Sequence, residues 1–253
     1  MKPGNGVQLV VKSLIAFLLI TFGLSLAACG KKDESAAPTG APIAAVAPPT
    51  GTTWSDTITL TSDGHFLMGN PNAKLKLVEF GSYTCPHCRD FATEAFGEIK
   101  GIVDSGKMNF EFRPFLRDPI DLTSALLARC GGKDVFYPMT EQLYANQAAM
   151  FDKAQANQAA MAPINNAPAA QRPQLIANAL GLVNFVKQRG IAEDQAKQCL
   201  ADTATAEKLA KDVEAASQQY QINGTPSFLI NGVLSDVPPT WKDVHAELRR
   251  AGV

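Results

Sequence analysis

Residues 74–100 read KLKLVEFGSYTCPHCRDFATEAFGEIK. The opening KLKLVEFGSY is a compact apolar run of strand length. Beyond it, Phe91, Ala95, Phe96 and Ile99 recur at helical spacing. Cys85-Pro86-His87-Cys88 lies at the junction. Pro86 suits the first helical position, where its missing N–H would lack a partner in any case. Cys85 then falls at the N-cap. A thiolate there can accept from the N–H groups of His87 and Cys88, at the positive end of the helix dipole. Both effects favour Cys85 as an anion, and so as nucleophile and leaving group. Cys88, one turn in, is placed to resolve a mixed disulfide. His87 adds a further dipole or charge favouring the thiolate, and stabilising the reduced form makes a disulfide more oxidising.

Two other uses of a CxxC fit less well. A structural zinc site takes four ligands, usually as two paired knuckles. Here Cys130 and Cys199 stand apart from each other, and the histidines are His65, His87 and His245; no metal is expected. A purely structural crosslink would not need the asymmetry between Cys85 and Cys88. The pair therefore reads as a redox couple.

Outward from this stretch, KMNFEFRPFL reads as a second strand, with Met108, Phe110 and Phe112 on one side and Pro114 ending the run. Strand, helix, strand makes a βαβ unit with a parallel pair. Upstream, Ile58 and Leu60 alternate before turn chemistry at Asp63-Gly64 and Asn70-Pro71. Residues 118–220 turn Ala-, Gln- and Leu-rich, with helical stretches near 121–131, 138–153, 173–188, 192–201 and 204–220. Gly190 reads as a helix C-terminal cap. GTPSFLINGVL returns to strand, with Asn231-Gly232 as a two-residue hairpin turn. PPTWKDVHAELRRAGV is an amphipathic helix, with Thr240 and Asp243 spaced as a capping box.

The 253-residue chain carries 23 basic and 24 acidic residues, a formal net charge of −1. That balance gives no electrostatic reason to expect a nucleic-acid partner. The N-terminus is different in kind. Lys2 and Lys12 precede the apolar SLIAFLLITFGLSLAA, which has the length and flanks of an export signal rather than a spanning helix. LAAC, Leu26 to Cys29, resembles a bacterial lipobox, implying lipidation of Cys29 and a membrane anchor. Gly30, where an aspartate would hold the protein at the inner membrane, permits transfer to the outer one. The following Ala-, Pro-, Gly- and Thr-rich segment has no apolar periodicity and reads as a disordered tether. The expected organisation is a lipoprotein signal peptide at 1–28, a tether at 29–55, a core domain at 56–117 and 221–253, and a helical insertion at 118–220.

GNPNAKLKLVEFGSYTCPHCRDF and GTPSFLINGV together resemble the DsbA family of periplasmic thiol–disulfide oxidoreductases, over roughly Gly69 to the C-terminus. The resemblance implies an α/β architecture, a thioredoxin fold with an inserted α-helical domain. It implies that Thr225-Pro226 is the loop whose cis-proline packs beside the CxxC and whose preceding residue pairs with substrate backbone, although trans is the commoner isomer for an isolated X-Pro bond. It implies that Glu79 is an acid buried below the cysteines that helps to move protons; burial would raise its pKa. As in some branches of the family, Cys130 and Cys199 are expected to form a structural disulfide, two buried free thiols being the alternative. The implied activity is donation of disulfides to reduced exported proteins, with no bound cofactor, reoxidation by a DsbB-like quinone-linked membrane partner, and a periplasmic, lipid-anchored monomer. Strong oxidases of the family commonly carry valine where this chain has Thr225, so isomerase or reductase activity stays open, as does a non-catalytic peptide-binding chaperone.

Overall fold

Apolar alternation around the CxxC builds the centre of a mixed sheet. The computed structural model describes residues 40–253; the signal segment and Cys29 lie outside the described residues. In chain order come β1 (Ile58–Leu60), β2 (Phe66–Met68), β3 (Leu75–Gly81), α1 (Pro86–Asp104) and β4 (Met108–Pro114). Helices follow: α2 (Pro119–Cys130), α3 (Lys133–Ala145), α4 (Gln147–Ala156), α5 (Gln158–Met161), α6 (Arg172–Leu180), α7 (Leu182–Lys187), α8 (Glu193–Leu200) and α9 (Thr203–Tyr220). The chain then returns through β5 (Ser227–Ile230), β6 (Val233–Leu234) and α10 (Trp241–Arg250). Strand order across the sheet is β1-β2-β4-β3-β5-β6.

The parallel β3–β4 pair runs in register from Leu75 opposite Met108 to Gly81 opposite Pro114. Its neighbours, β2 on β4 and β5 on β3, are antiparallel. Leu75, Leu77, Met108, Phe110 and Phe112 share one face of the central strands and are wholly buried. Cys88, Phe91, Ala95, Phe96 and Ile99 give α1 its buried face against them. Asn231 and Gly232 both take positive φ (51° and 83°) and close the β5–β6 hairpin, a conformation those two residue types tolerate. The Thr240 hydroxyl accepts from Asp243 N–H, but Asp243 receives the Thr240 hydroxyl instead of reaching back to its amide, so the box is half formed.

The structure differs from the sequence expectations in three places. Residues 40–55, expected to belong to the tether, lie along the folded domain. Gly40 and Ile43 N–H bond to the carbonyls of Arg250 and Gly252, and Val46 N–H bonds to Ser105 O. Trp54, 8% exposed, anchors the strap and donates from Nε1 to Val46 O at 2.7 Å. One buried aromatic and a few backbone bonds outweigh a composition that on average looks disordered.

Pro138, expected at the start of one helical stretch near 138–153, sits inside α3, which begins at Lys133, and that stretch divides at Asn146 into α3 and α4. The hydrogen bond lost at Pro138 is offset by the burial of Phe136, Tyr137 and Met139 around it. The stretch expected as one helix over 173–188 is broken at Gly181, whose left-handed backbone (φ 67°) ends α6 and starts α7.

Candidate active site

Cys85 is the N-cap of α1, with φ −88° and ψ 118°, and Pro86 is the first helical residue. The strand β3 and this helix together present the cysteine at the carboxyl end of the sheet's central strand. Cys85 is 3% exposed and its thiol donates to Thr225 O at 3.2 Å. The Thr225-Pro226 peptide bond is cis and carries that carbonyl beside the sulfur. As a thiol, Cys85 makes no cap hydrogen bond to the helix. Its anion is nevertheless strongly favoured. Donation from the Cys88 thiol is the largest cause, followed, against burial, by the Thr225 side chain and the N–H groups of Cys88 and His87; together they hold the thiol down to about 5.

Cys88 has the opposite character. It is wholly buried, and burial, then donation to Cys85 and the charge of Glu79, push its thiol far above the ordinary range. Its sulfur accepts the Ser82 backbone N–H at 3.4 Å. Both cysteines are thiols in this structure. The asymmetry read from spacing is thus present in the geometry. Of His87, the group that acts on Cys85 is the backbone N–H; the side chain is exposed.

Glu79 lies on β3 between Phe112 and Phe228 of the neighbouring strands. It is wholly buried, and neither carboxyl oxygen has a hydrogen-bond partner. Burial first, then the charge of Cys85, push its carboxyl up to about 8. At neutral pH it is therefore a neutral acid beneath the cysteine pair.

Cys130 at the end of α2 and Cys199 in α8 are joined by a disulfide across a sequence separation of 69. It ties the two helices together within the insertion. Asp63, His65 and Glu111 also converge, with ligand-capable atoms within 4.8 Å of one another. Arg113 already occupies the position a cation would take, with Nε 2.6 Å from Glu111 and Nη2 3.3 Å from Asp63. Burial, then Arg113, lower His65 to about 4, which keeps its imidazole neutral.

Sequence reasoning missed the residues that hold the 82–85 loop from the insertion. Asp118 and Asp121 at the start of α2 and Gln147 of α4 all bond to it. Asp118-Pro119 does signal a helix start, and Asp118 caps it by accepting from Ile120 and Asp121 N–H. Nothing in the local pattern signals contacts with a loop 34 or 37 residues earlier.

The class these features define is a thioredoxin-fold chain with a helical insertion, carrying an asymmetric cysteine pair at a helix N-terminus beside a cis-proline. The Thioredoxin family model matches residues 61–249, and the chain belongs to that family. A crystal structure of a protein-disulfide isomerase from Novosphingobium aromaticivorans is 39% identical; the match covers 74% of this chain and 97% of that one, with a TM-score of 0.70. A putative protein-disulfide oxidoreductase from Rickettsia bellii is 25% identical over 175 residues, covering 69% of this chain and 60% of that protein. A second one, from Rickettsia conorii, is matched over 54% of its length, so the chain spans between half and two thirds of these curated relatives. The alpha-DsbA1 structure from Wolbachia pipientis, 21% identical with a TM-score of 0.58, shares the fold; that match covers 78% of this chain and 94% of that one.

Proposed function

We propose that the chain is a thiol–disulfide oxidoreductase that donates a disulfide from Cys85 and Cys88 to exported proteins. The observation that carries this reading is the opposed pair of thiols: Cys85, at the helix N-cap beside the cis-proline, held near 5, and Cys88, one turn in, pushed far up. In the oxidised pair, a substrate thiolate attacks Cys85 Sγ, forming a mixed disulfide and releasing Cys88 as a thiolate. Cys88 is the stronger base and takes a proton, which the neutral Glu79 below it can supply. A second substrate thiolate attacks the substrate sulfur of the mixed disulfide, and Cys85 leaves as a stabilised thiolate. Two substrate thiols are oxidised, two electrons end on the cysteine pair, and no further cofactor is required.

The Thr225 carbonyl is the natural partner for a substrate backbone N–H once Cys85 is oxidised and no longer donates to it. Beside the pair lies a cavity of about 360 Å³ lined by His87, Asp90, Phe91, Pro239, Thr240 and Trp241. Its apolar floor suits side chains of unfolded clients with little demand on sequence. The lipobox-like LAAC supports lipidation of Cys29 and a periplasmic protein anchored to the inner or outer membrane, and the donor role calls for a DsbB-like membrane reoxidant. Thr225 before the cis-proline, and the isomerase named for the Novosphingobium protein, favour isomerisation as the second reading.

The test is oxidation of a reduced, unfolded client by stoichiometric oxidised protein. Client disulfides should form with equal loss of the Cys85–Cys88 bond, and Cys85→Ser should give none. Client oxidation by the Cys85→Ser protein at the parent rate would end this reading.

A further inference from the structure

The helical insertion grips every residue of the loop that leads into the cysteine pair. Gln147 Nε2 donates to the carbonyls of Tyr83 and Cys85, each at 2.9 Å. The Thr84 hydroxyl donates to Asp118 at 2.7 Å and to Asp121 at 3.0 Å. Asp121 is at the centre. Its carboxylate accepts the Ser82 hydroxyl at 2.8 and 2.9 Å, Thr84 N–H at 3.0 Å and Arg117 N–H at 2.9 Å.

Asp121 and Ser82 are both wholly buried. Burial and the like charge of Asp118 push Asp121 up to about 6, and hydrogen bonds rather than a countercharge compensate. Burying a carboxylate in this way is costly unless its lone pairs are filled. Here they are filled by the active-site loop. A helix start alone would need only the Asp118 cap, which is already made.

Ser82 connects this anchor to the chemistry. Its side chain is held by Asp121, while its backbone N–H donates to Cys88 Sγ at 3.4 Å. Cys88 lies one turn into α1 from Cys85, and its thiol is the donor that most favours the Cys85 anion. A donor whose own sulfur accepts a hydrogen bond is a stronger donor.

We propose that Asp121 is a positioning residue for the cysteine pair: through Ser82 it fixes the backbone N–H that donates to Cys88 Sγ, and so makes the reactivity of Cys85 depend on the helical insertion. This rests on the reading of Cys85 and Cys88 as the reactive pair. The insertion is then a mount for the active site as well as a cover for the sheet.

Ser82→Ala keeps the backbone N–H but removes the hydroxyl that Asp121 holds; Asp121→Asn replaces one acceptor oxygen with a donor. Both are made in the full chain, together with the double variant. Glu79, Tyr83, His87, Cys88, Asp118 and Tyr144, the other titratable groups around the loop and the pair, stay in place. Cys85 is titrated in the reduced proteins by thiolate ultraviolet absorbance, with thermal unfolding followed in parallel. The titration midpoint should rise by about one pH unit in each single variant, a roughly tenfold loss of thiolate below the midpoint. The double variant should shift no further than Asp121→Asn, because both changes break one relay. Lower thermal stability with an unmoved midpoint in both single variants overturns the proposal, as does a double-variant shift equal to the sum of the two. If Asp121→Asn fails to fold, the Ser82→Ala midpoint decides alone. An unsubstituted protein whose Cys85 titrates like a free thiol would instead strike at the proposed function itself.

Discussion

Replacing Glu79 by leucine should stabilise the protein by a margin that grows as pH rises from about 4.5 to about 8. Glu79 is wholly buried with two unpartnered oxygens, and its carboxyl moves from an ordinary 4.5 to about 8. Its folded value is raised, so below about 4.5 both states are protonated and the residue imposes no ionisation cost. As pH rises above that, the unfolded chain releases the proton and the folded one keeps it, and stability falls by about 1.4 kcal/mol per unit. At pH 7 the deficit is about 3 kcal/mol, and it levels off near 5 kcal/mol above pH 8. Leucine removes the deficit and fills a similar volume. The assay is urea unfolding of parent and variant from pH 4 to 9, run on the oxidised protein so that Cys85 does not titrate. In the reduced protein the two groups oppose each other: Cys85, depressed to about 5 from 9, makes stability rise with pH between those values. Burial is the larger cause at Glu79 and persists in the oxidised state, so most of the effect should remain there. A stability difference that is constant from pH 4 to 9 would refute the assignment of Glu79 as a buried neutral acid. The variant should also deliver protons to Cys88 more slowly, lowering client oxidation while raising stability.

Alkylation of the reduced protein should label Cys85 with a half-maximal rate near pH 5, while Cys88 reacts only on unfolding; mass spectrometry of quenched samples reads both, and a midpoint near 9 would contradict the thiol asymmetry. Incubated with a client that already carries a disulfide, Cys88→Ser should accumulate a mixed disulfide: the Cys85 thiolate attacks the client disulfide and releases one client thiolate, and no Cys88 sulfur remains to displace the client, so the adduct is detectable on a non-reducing gel. Replacing both Cys130 and Cys199 by alanine should cost roughly 4 kcal/mol in the chain-entropy account for a loop of this length, measured by denaturant unfolding. A loss well under 1 kcal/mol would mean that the unfolded chain is already restricted there.

The parts of the fold that depend on local chemistry were legible in the sequence. β3 and α1 follow from an apolar run and a helical stripe, and Pro86 alone puts Cys85 at the N-cap. The Asn231-Gly232 turn follows from two residues that tolerate positive φ. What failed was set by packing across distance. The strap at 40–55 is ordered because Val46, held by the buried Trp54, bonds to Ser105 just after α1, a partner that composition cannot show. Pro138 is carried inside α3 because the aromatic residues around it are buried. The site divides in the same way. Cys85, Cys88 and Glu79 lie on one contiguous stretch and could be picked out by spacing and resemblance. Asp121, Asp118 and Gln147 come from the insertion and read there as a first-turn acid, a cap and a polar helix residue. Their partners on the loop lie 34 to 64 positions away.

The measurement that tests the central claim most directly is the reduction potential of the Cys85–Cys88 pair. It is read by glutathione titration of the protein with the Cys130–Cys199 disulfide intact, each state being counted by thiol trapping and mass. Stabilisation of the reduced Cys85 thiolate predicts a potential of about −120 to −180 mV, the range of oxidising and isomerising members of the fold. A potential near −270 mV would mean that the pair is built to donate electrons, and would contradict disulfide donation.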